Sequence, residues 1–191
     1  MIDETLKNKN YITFKKKLEG CGIDTSQFDE KLGDKLLNAT FSLTNENGNA
    51  YDGSFIQVVL RTLTPYAIRI NDLLPEDIRV EQNSLVKVCL LSQISKCEMF
   101  VKNTNQWEID NRGMLYKYGK YDLALKMGMR SIVLCELLGI KFTPNEMEAM
   151  IILDRNSDDK QSEFYSSTLA TILKEANDLT NLQFRMTNGN K

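Results

Sequence analysis

Leu85-Val86-Lys87-Val88-Cys89-Leu90-Leu91 carries six apolar side chains in seven positions. That density leaves almost no polar face, and a helix apolar all round must be covered on every side. The segment is therefore expected to form the middle of a helical core, with Asn83-Ser84 just before it as a capping pair. Upstream, Phe55, Val58, Val59, Leu63, Tyr66, Ala67 and Ile70 recur every three or four residues, which predicts a long core-facing helix to about Asn71, kinked or broken at Pro65. A turn opening at Pro75 joins the two. Residues 44–54 are rich in Asn, Gly, Asp and Ser and read as a loop. Leu6, Tyr11, Ile12, Phe14 and Leu18, followed by Gly20 and Gly22, predict an N-terminal helix over 5–19. The run Lys15-Lys16-Lys17 on that helix reads as a solvated face.

Downstream the pattern changes to alternation in Met99-Phe100-Val101, Trp107-Glu108-Ile109 and Met114-Leu115-Tyr116, separated by Asn, Asp and Gly, which predicts a small β-hairpin or meander near 98–118. Trp107 on this insertion is a candidate interface anchor, weighed against a buried side chain that caps the core. Asp122 is placed to cap a helix running to Leu138 and ending at Gly139, and Thr143-Pro144-Asn145-Glu146 spells a capping box with proline at the first helical position. Helices over about 144–153 and 163–180 and a polar tail over 185–191 complete the chain. No internal repeat is visible. The expectation is one mainly α domain over 1–191, with six or seven helices and a small hairpin insertion.

Composition narrows the chemistry. The chain has 191 residues, 24 basic against 26 acidic side chains, a formal charge of −2 and no histidine. Missing imidazole removes the Ser-His and Cys-His nucleophile pairs, the commonest general base near neutrality and the commonest transition-metal ligand. The balanced charge argues against nucleic acid as the main partner and against an anionic membrane surface. The N-terminus shows no apolar signal region and no run is long enough to span a bilayer, so a soluble, cytoplasmic protein is expected. Cys21, Cys89, Cys97 and Cys135 lack CxxC spacing and read as core thiols. Asn38-Ala39-Thr40 matches a glycosylation sequon that a cytosolic chain does not use. Asp154-Arg155-Asn156-Ser157-Asp158-Asp159 offers oxygens at calcium-loop positions 1, 3 and 5, but Asp159 stands where glycine is needed and Tyr165 where the bidentate glutamate is needed. No glycine-rich phosphate loop is present.

Leu90-Leu91-Ser92-Gln93-Ile94-Ser95-Lys96 resembles the signature helix of the HD-domain phosphohydrolases, Leu-Leu-His-Asp-Ile-Gly-Lys, with Ser92 and Gln93 in place of the metal-binding His-Asp pair. Further blocks follow in the family's order. Ala50 to Val59 is similar to the Gly-Gly-Leu-Leu-Glu-His-Ser stretch, which puts Val58 at a histidine position. Lys126 to Ser131 is similar to Gly-His-Gly-Glu-Lys-Ser, again without histidine. Gly139 to Met150 resembles the next helix entry. Glu175-Ala176-Asn177-Asp178-Leu179 resembles the closing Ala-Asp-x-Leu block, with Asn177 at the last metal position unless a one-residue slip places Asp178 there.

The resemblance covers about residues 50–180 and implies the HD fold while denying its chemistry. HD enzymes hold a divalent cation that activates water, and Val58, Ser92, Gln93 and Asn177 offer no charge to offset its dehydration. This implies a pseudo-enzyme with a degenerate former metal site and no metal or other cofactor. Lys96 and Arg130 are retained in type and are the candidate anion-binding residues. The first functional expectation is a non-catalytic structural or interaction protein in a homo- or hetero-oligomeric assembly. The alternative is a metal-free nucleotide- or phosphate-binding regulatory module, and an active phosphohydrolase ranks last. The 17 asparagines and the stretch Asn105 to Met114 resemble small proteins of Bacteroidales and their crAss-like phages, which implies a bacterial cytoplasm or, for a ring or collar component, a virion.

Overall fold

The computed structural model describes residues 2–45, 48–120, 124–153 and 166–188. The expected Asp122 cap and the acidic loop 154–159 lie outside them. Helix α1 (Glu4–Gly20) opens at Asp3, whose carboxylate accepts the Leu6 N–H at 2.7 Å, and it buries Phe14 and Leu18. Two short helices, α2 (Phe28–Lys31) and α3 (Gly33–Leu37), follow and bury Phe28 and Leu36. Four or five residues display no period, so nothing in their sequence announces them.

Helix α4 (Ser54–Val58), a π-helical turn over Val59–Leu63 and α5 (Thr64–Leu73) keep helical backbone across both junctions. The break expected at Pro65 is thus a widened turn. Pro65 has no N–H to offer the turn before it, and the Thr64 N–H and hydroxyl both bond to the Val59 carbonyl, the hydroxyl at 2.7 Å. After a 3₁₀ turn at Glu76–Ile78 comes α6 (Gln82–Leu91), the expected central helix. Its cap is Glu81 rather than Asn83-Ser84: the carboxylate accepts the N–H groups of both those residues, at 3.0 and 2.8 Å. A carboxylate at that end also opposes the positive pole of the helix. Leu85, Val88, Cys89, Leu90 and Leu91 are fully buried.

Helix α7 (Lys96–Met99) runs into β1 (Phe100–Lys102), which pairs antiparallel with β2 (Tyr116–Tyr118) in the register Phe100 to Tyr118 and Lys102 to Tyr116. Between the strands the Trp107 segment is helix α8 (Gln106–Arg112), not strand. Three alternating residues are too few to set a period, and Asn105 decides the matter by accepting the N–H groups of Trp107 and Glu108. Helix α9 (Met127–Leu137) ends at Gly139, left-handed at φ +78°, where the Ile140 N–H reaches back to Cys135. Helix α10 (Pro144–Ile152) carries the expected capping box. Helix α11 (Thr168–Asn188) runs on through residues expected to be tail. Phe184 packs against the core and the Tyr66 hydroxyl donates to Gln183, which holds the extra turns. Seven helices of seven or more residues, with one two-stranded hairpin, make the described residues mainly α. None of these helices is long and apolar enough to cross a membrane.

Helix α6 packs against α1, α5, α10 and α11. Two of its polar side chains share one carboxylate: the Ser84 hydroxyl and Lys87 ammonium both donate to Glu146 at 2.8 Å, while Lys87 also donates to the Lys141 carbonyl at 2.6 Å and lies over the Phe142 ring. Cys89, Cys97 and Cys135 are buried free thiols and Cys21 is half-buried. Burial pushes all four thiols up. For Glu146, burial acts upward, but donors from Lys87, the Thr143 backbone and Ser84 outweigh it and hold the carboxyl below its ordinary range. A depressed carboxylate stabilises the fold above its unfolded pKa, about 4.3, and that contribution disappears as pH falls. Glu146→Gln should cost about 3 kcal/mol at pH 7, because it strands a half-buried ammonium. Urea midpoints should also show a shallower acid-side loss for the variant than for the wild type between about pH 5 and pH 3.

Candidate functional site: a polar cavity beyond the central helix

Helix α6 ends at Ser92, and the turn that follows brings Gln93, Ser95 and Lys96 inward. A cavity of about 230 Å³ opens there, lined by Ser92, Gln93 and Lys96 from this corner, Gly128 from α9, Asn177 and Asn181 from α11, and Phe41, Ser42 and Asn49 from the loop before α4. The Gln93 side-chain amide donates to the Asn177 carbonyl oxygen at 3.0 Å. Ser92 is fully buried and its hydroxyl has no hydrogen-bond partner among the described residues. The corner is tied to α9 by hydroxyls, since Ser131 donates to the Ser95 oxygen at 2.9 Å and Ser95 donates to the Met127 carbonyl at 3.0 Å.

Lys96 is the charged residue among the described lining of this cavity. Its side chain, 6% exposed, donates to the Phe41 carbonyl at 2.8 Å and lies 3.6 Å from the centroid of the Phe41 ring. No carboxylate among the described residues pairs with it. Burial therefore brings the ammonium down to about 7. The loop that supplies Phe41 is itself fixed from below: the Ser54 hydroxyl accepts the Phe41 N–H at 2.9 Å and donates to the Asn49 carbonyl at 2.6 Å.

The structure brings Ser92, Gln93, Lys96 and Asn177 to one place and leaves the other candidates elsewhere. Val58 is buried in the apolar core and does not line the cavity. Asn177, not Asp178, faces it. Asp178 is exposed and pairs with Lys174 at 3.9 Å on its own helix. Arg130 lies on a separate shallow groove with Glu98 and Val133, and its Nε donates to the Leu125 carbonyl. Trp107 is 58% exposed, with the Arg112 guanidinium 5.1 Å from its ring, so it does not cap the core. Ser42, Asn49 and the Ser95–Ser131 pair were not legible beforehand, being ordinary loop and helix residues whose only signal is a tertiary contact. No group of three or more Cys, Asp or Glu side chains among the described residues is arranged to hold a metal ion.

No family model, curated protein or solved structure matches this chain. What the cavity can do chemically follows from its own groups: a buried amine, an unpartnered hydroxyl and several amides.

The amine has a measurable consequence. A lysine titrating lower in the folded state than in the unfolded chain, about 10.4, makes folding release a proton, so stability rises with pH between those two values. The wild type should gain up to about 1.4 kcal/mol per pH unit above pH 7 relative to Lys96→Met. Paired urea titrations at pH 7 and 8.5 read the difference, and below pH 7 the two curves should run parallel.

Proposed function

We propose that this chain is a non-catalytic binding module on a degenerate HD-type scaffold, and that it holds a small oxyanion of the phosphate type in the Lys96 cavity. The observation that carries this is Lys96 itself, a buried amine that no carboxylate among the described residues pairs with, beside a fully buried hydroxyl that has no partner among them. Burying an ammonium without a counter-charge is costly, and an oxyanion would supply both the charge and the acceptor for Ser92. The resemblance supports the scaffold, because Ser92, Gln93, Lys96, Gly128 and Asn177 come from three blocks far apart in sequence and line one cavity. It supports the absence of metal chemistry too: neutral Ser92, Gln93 and Asn177 bring no charge to a cation, and Val58 has no lone pair. A volume near 230 Å³ suits phosphate or a similarly small anion, and a nucleotide would have to leave its base outside. Arg130 takes no part in this reading, since it faces another groove.

A second reading, a structural or interaction protein in a homo- or hetero-oligomeric assembly or a phage virion, is favoured by a different observation. Leu179, Leu182 and Met186 stand exposed at helical spacing along α11, and Trp107 stands exposed on α8. The two readings concern different surfaces and are separable.

Inorganic phosphate should raise the melting temperature of the wild type in a saturable way, by the equivalent of about 2.7 kcal/mol at a hundred times its Kd. Lys96→Met should abolish the shift, while Arg130→Met should leave it intact. A flat response of the wild type to phosphate, with light scattering showing a stable oligomer, would favour the assembly reading.

A further inference from the structure

Lys96 differs from the surface lysines in one chemical respect: it is held among Phe41, Phe100 and the α6–α7 corner, unpaired with any carboxylate among the described residues, on the wall of a cavity that admits a small molecule. The other described side chains of the lining are uncharged, several of them hydrogen-bonding amides, and the Ser92 hydroxyl is unspent among the described residues. We infer that Lys96 is a nucleophilic amine that forms an imine with a small 2-oxo acid, whose carboxylate occupies the oxyanion position of the same cavity. The inference rests on the proposal that the cavity admits a small anion and adds a covalent step to it.

The step balances without a redox partner. The lone pair on Nζ attacks the carbonyl carbon, the π pair moves to oxygen, and a proton passes from nitrogen to that oxygen to give the carbinolamine. Loss of hydroxide with the second amine proton releases water and leaves the C=N bond. A burial-lowered amine suits this, because far more of it carries a lone pair near pH 7 than the roughly four parts in ten thousand of an ordinary lysine. The Phe41 carbonyl accepts from Nζ and leaves the nitrogen lone pair free for the cavity. The Ser92 hydroxyl and the amides on the wall can receive a carboxylate without the repulsion that an acidic side chain would impose.

The test uses the folded protein with glyoxylate at pH 7 and cyanoborohydride, which traps the imine as a carboxymethyl amine that peptide mass mapping can locate. Label should appear on Lys96 at least tenfold faster than on any other lysine, slow when acetaldehyde replaces glyoxylate, and lose its selectivity in urea. Labelling of Lys96 no faster than of the surface lysines would overturn the inference, and equal labelling by acetaldehyde would overturn the 2-oxo acid class. Inorganic phosphate separates the two proposals. A thermal shift with phosphate but no selective label sinks the imine alone. Selective label that phosphate does not suppress would overturn both the phosphate reading and the placement of the carboxylate in the oxyanion position, leaving only the reactivity of the amine. Because the readout is on the unmutated chain, it does not depend on whether Lys96→Met folds.

Discussion

Everything in this molecule is arranged around the need to cover α6 on all sides. Five of its ten residues are completely buried, and an apolar helix of that kind has no stable place except inside other helices. Helices α1, α5, α10 and α11 supply the cover. Its Ser84 and Lys87 side chains share one carboxylate, Glu146, whose position is fixed by its own capping box. The same carboxylate thus closes the first turn of α10 and neutralises the side chain that α6 turns towards it.

The cavity follows from where this cover ends. Past Leu91 the chain must leave the apolar interior, and it does so through Ser92, Gln93, Ser95 and Lys96, all of them buried. Buried polar groups need partners. Ser95 finds Ser131, Gln93 finds Asn177 and Lys96 finds the Phe41 carbonyl, whereas Ser92 finds none. A corner that serves only as structure could have satisfied or removed that hydroxyl, and the cost of leaving it unpaired is about 1–3 kcal/mol. Asn10 and Gln57 also keep a buried atom without a partner among the described residues, and Ser92 differs from them in lining the cavity.

Long periodic segments were legible in the sequence because many residues vote for the same period: α1, α6, α10 and the helix through Pro65 all follow from spacing and capping signals. Short elements were not. Helices α2, α3 and α8 are decided by one cap or one contact, and the Trp107 segment alternates only by coincidence of three residues. Part of the cavity was legible, since Ser92, Gln93, Lys96 and Asn177 were all among the candidate site residues and the structure places them together. Ser42 and Asn49 were not, because they reach the site through a loop folded on Ser54, and Arg130 was placed there wrongly because adjacency in a block says nothing about which groove a side chain enters.

The widened turn before Pro65 also settles a matter of angular register. Phe55, Val59, Leu63, Ala67 and Asn71 are all buried, and each is four residues from the next. On a regular helix a step of four overshoots a full revolution by about 40°, so the buried row would wind about 160° around the axis between its first and last member. A turn containing more residues takes back part of that rotation, and one uninterrupted rod can lay its first half on α1 and its second half on α11.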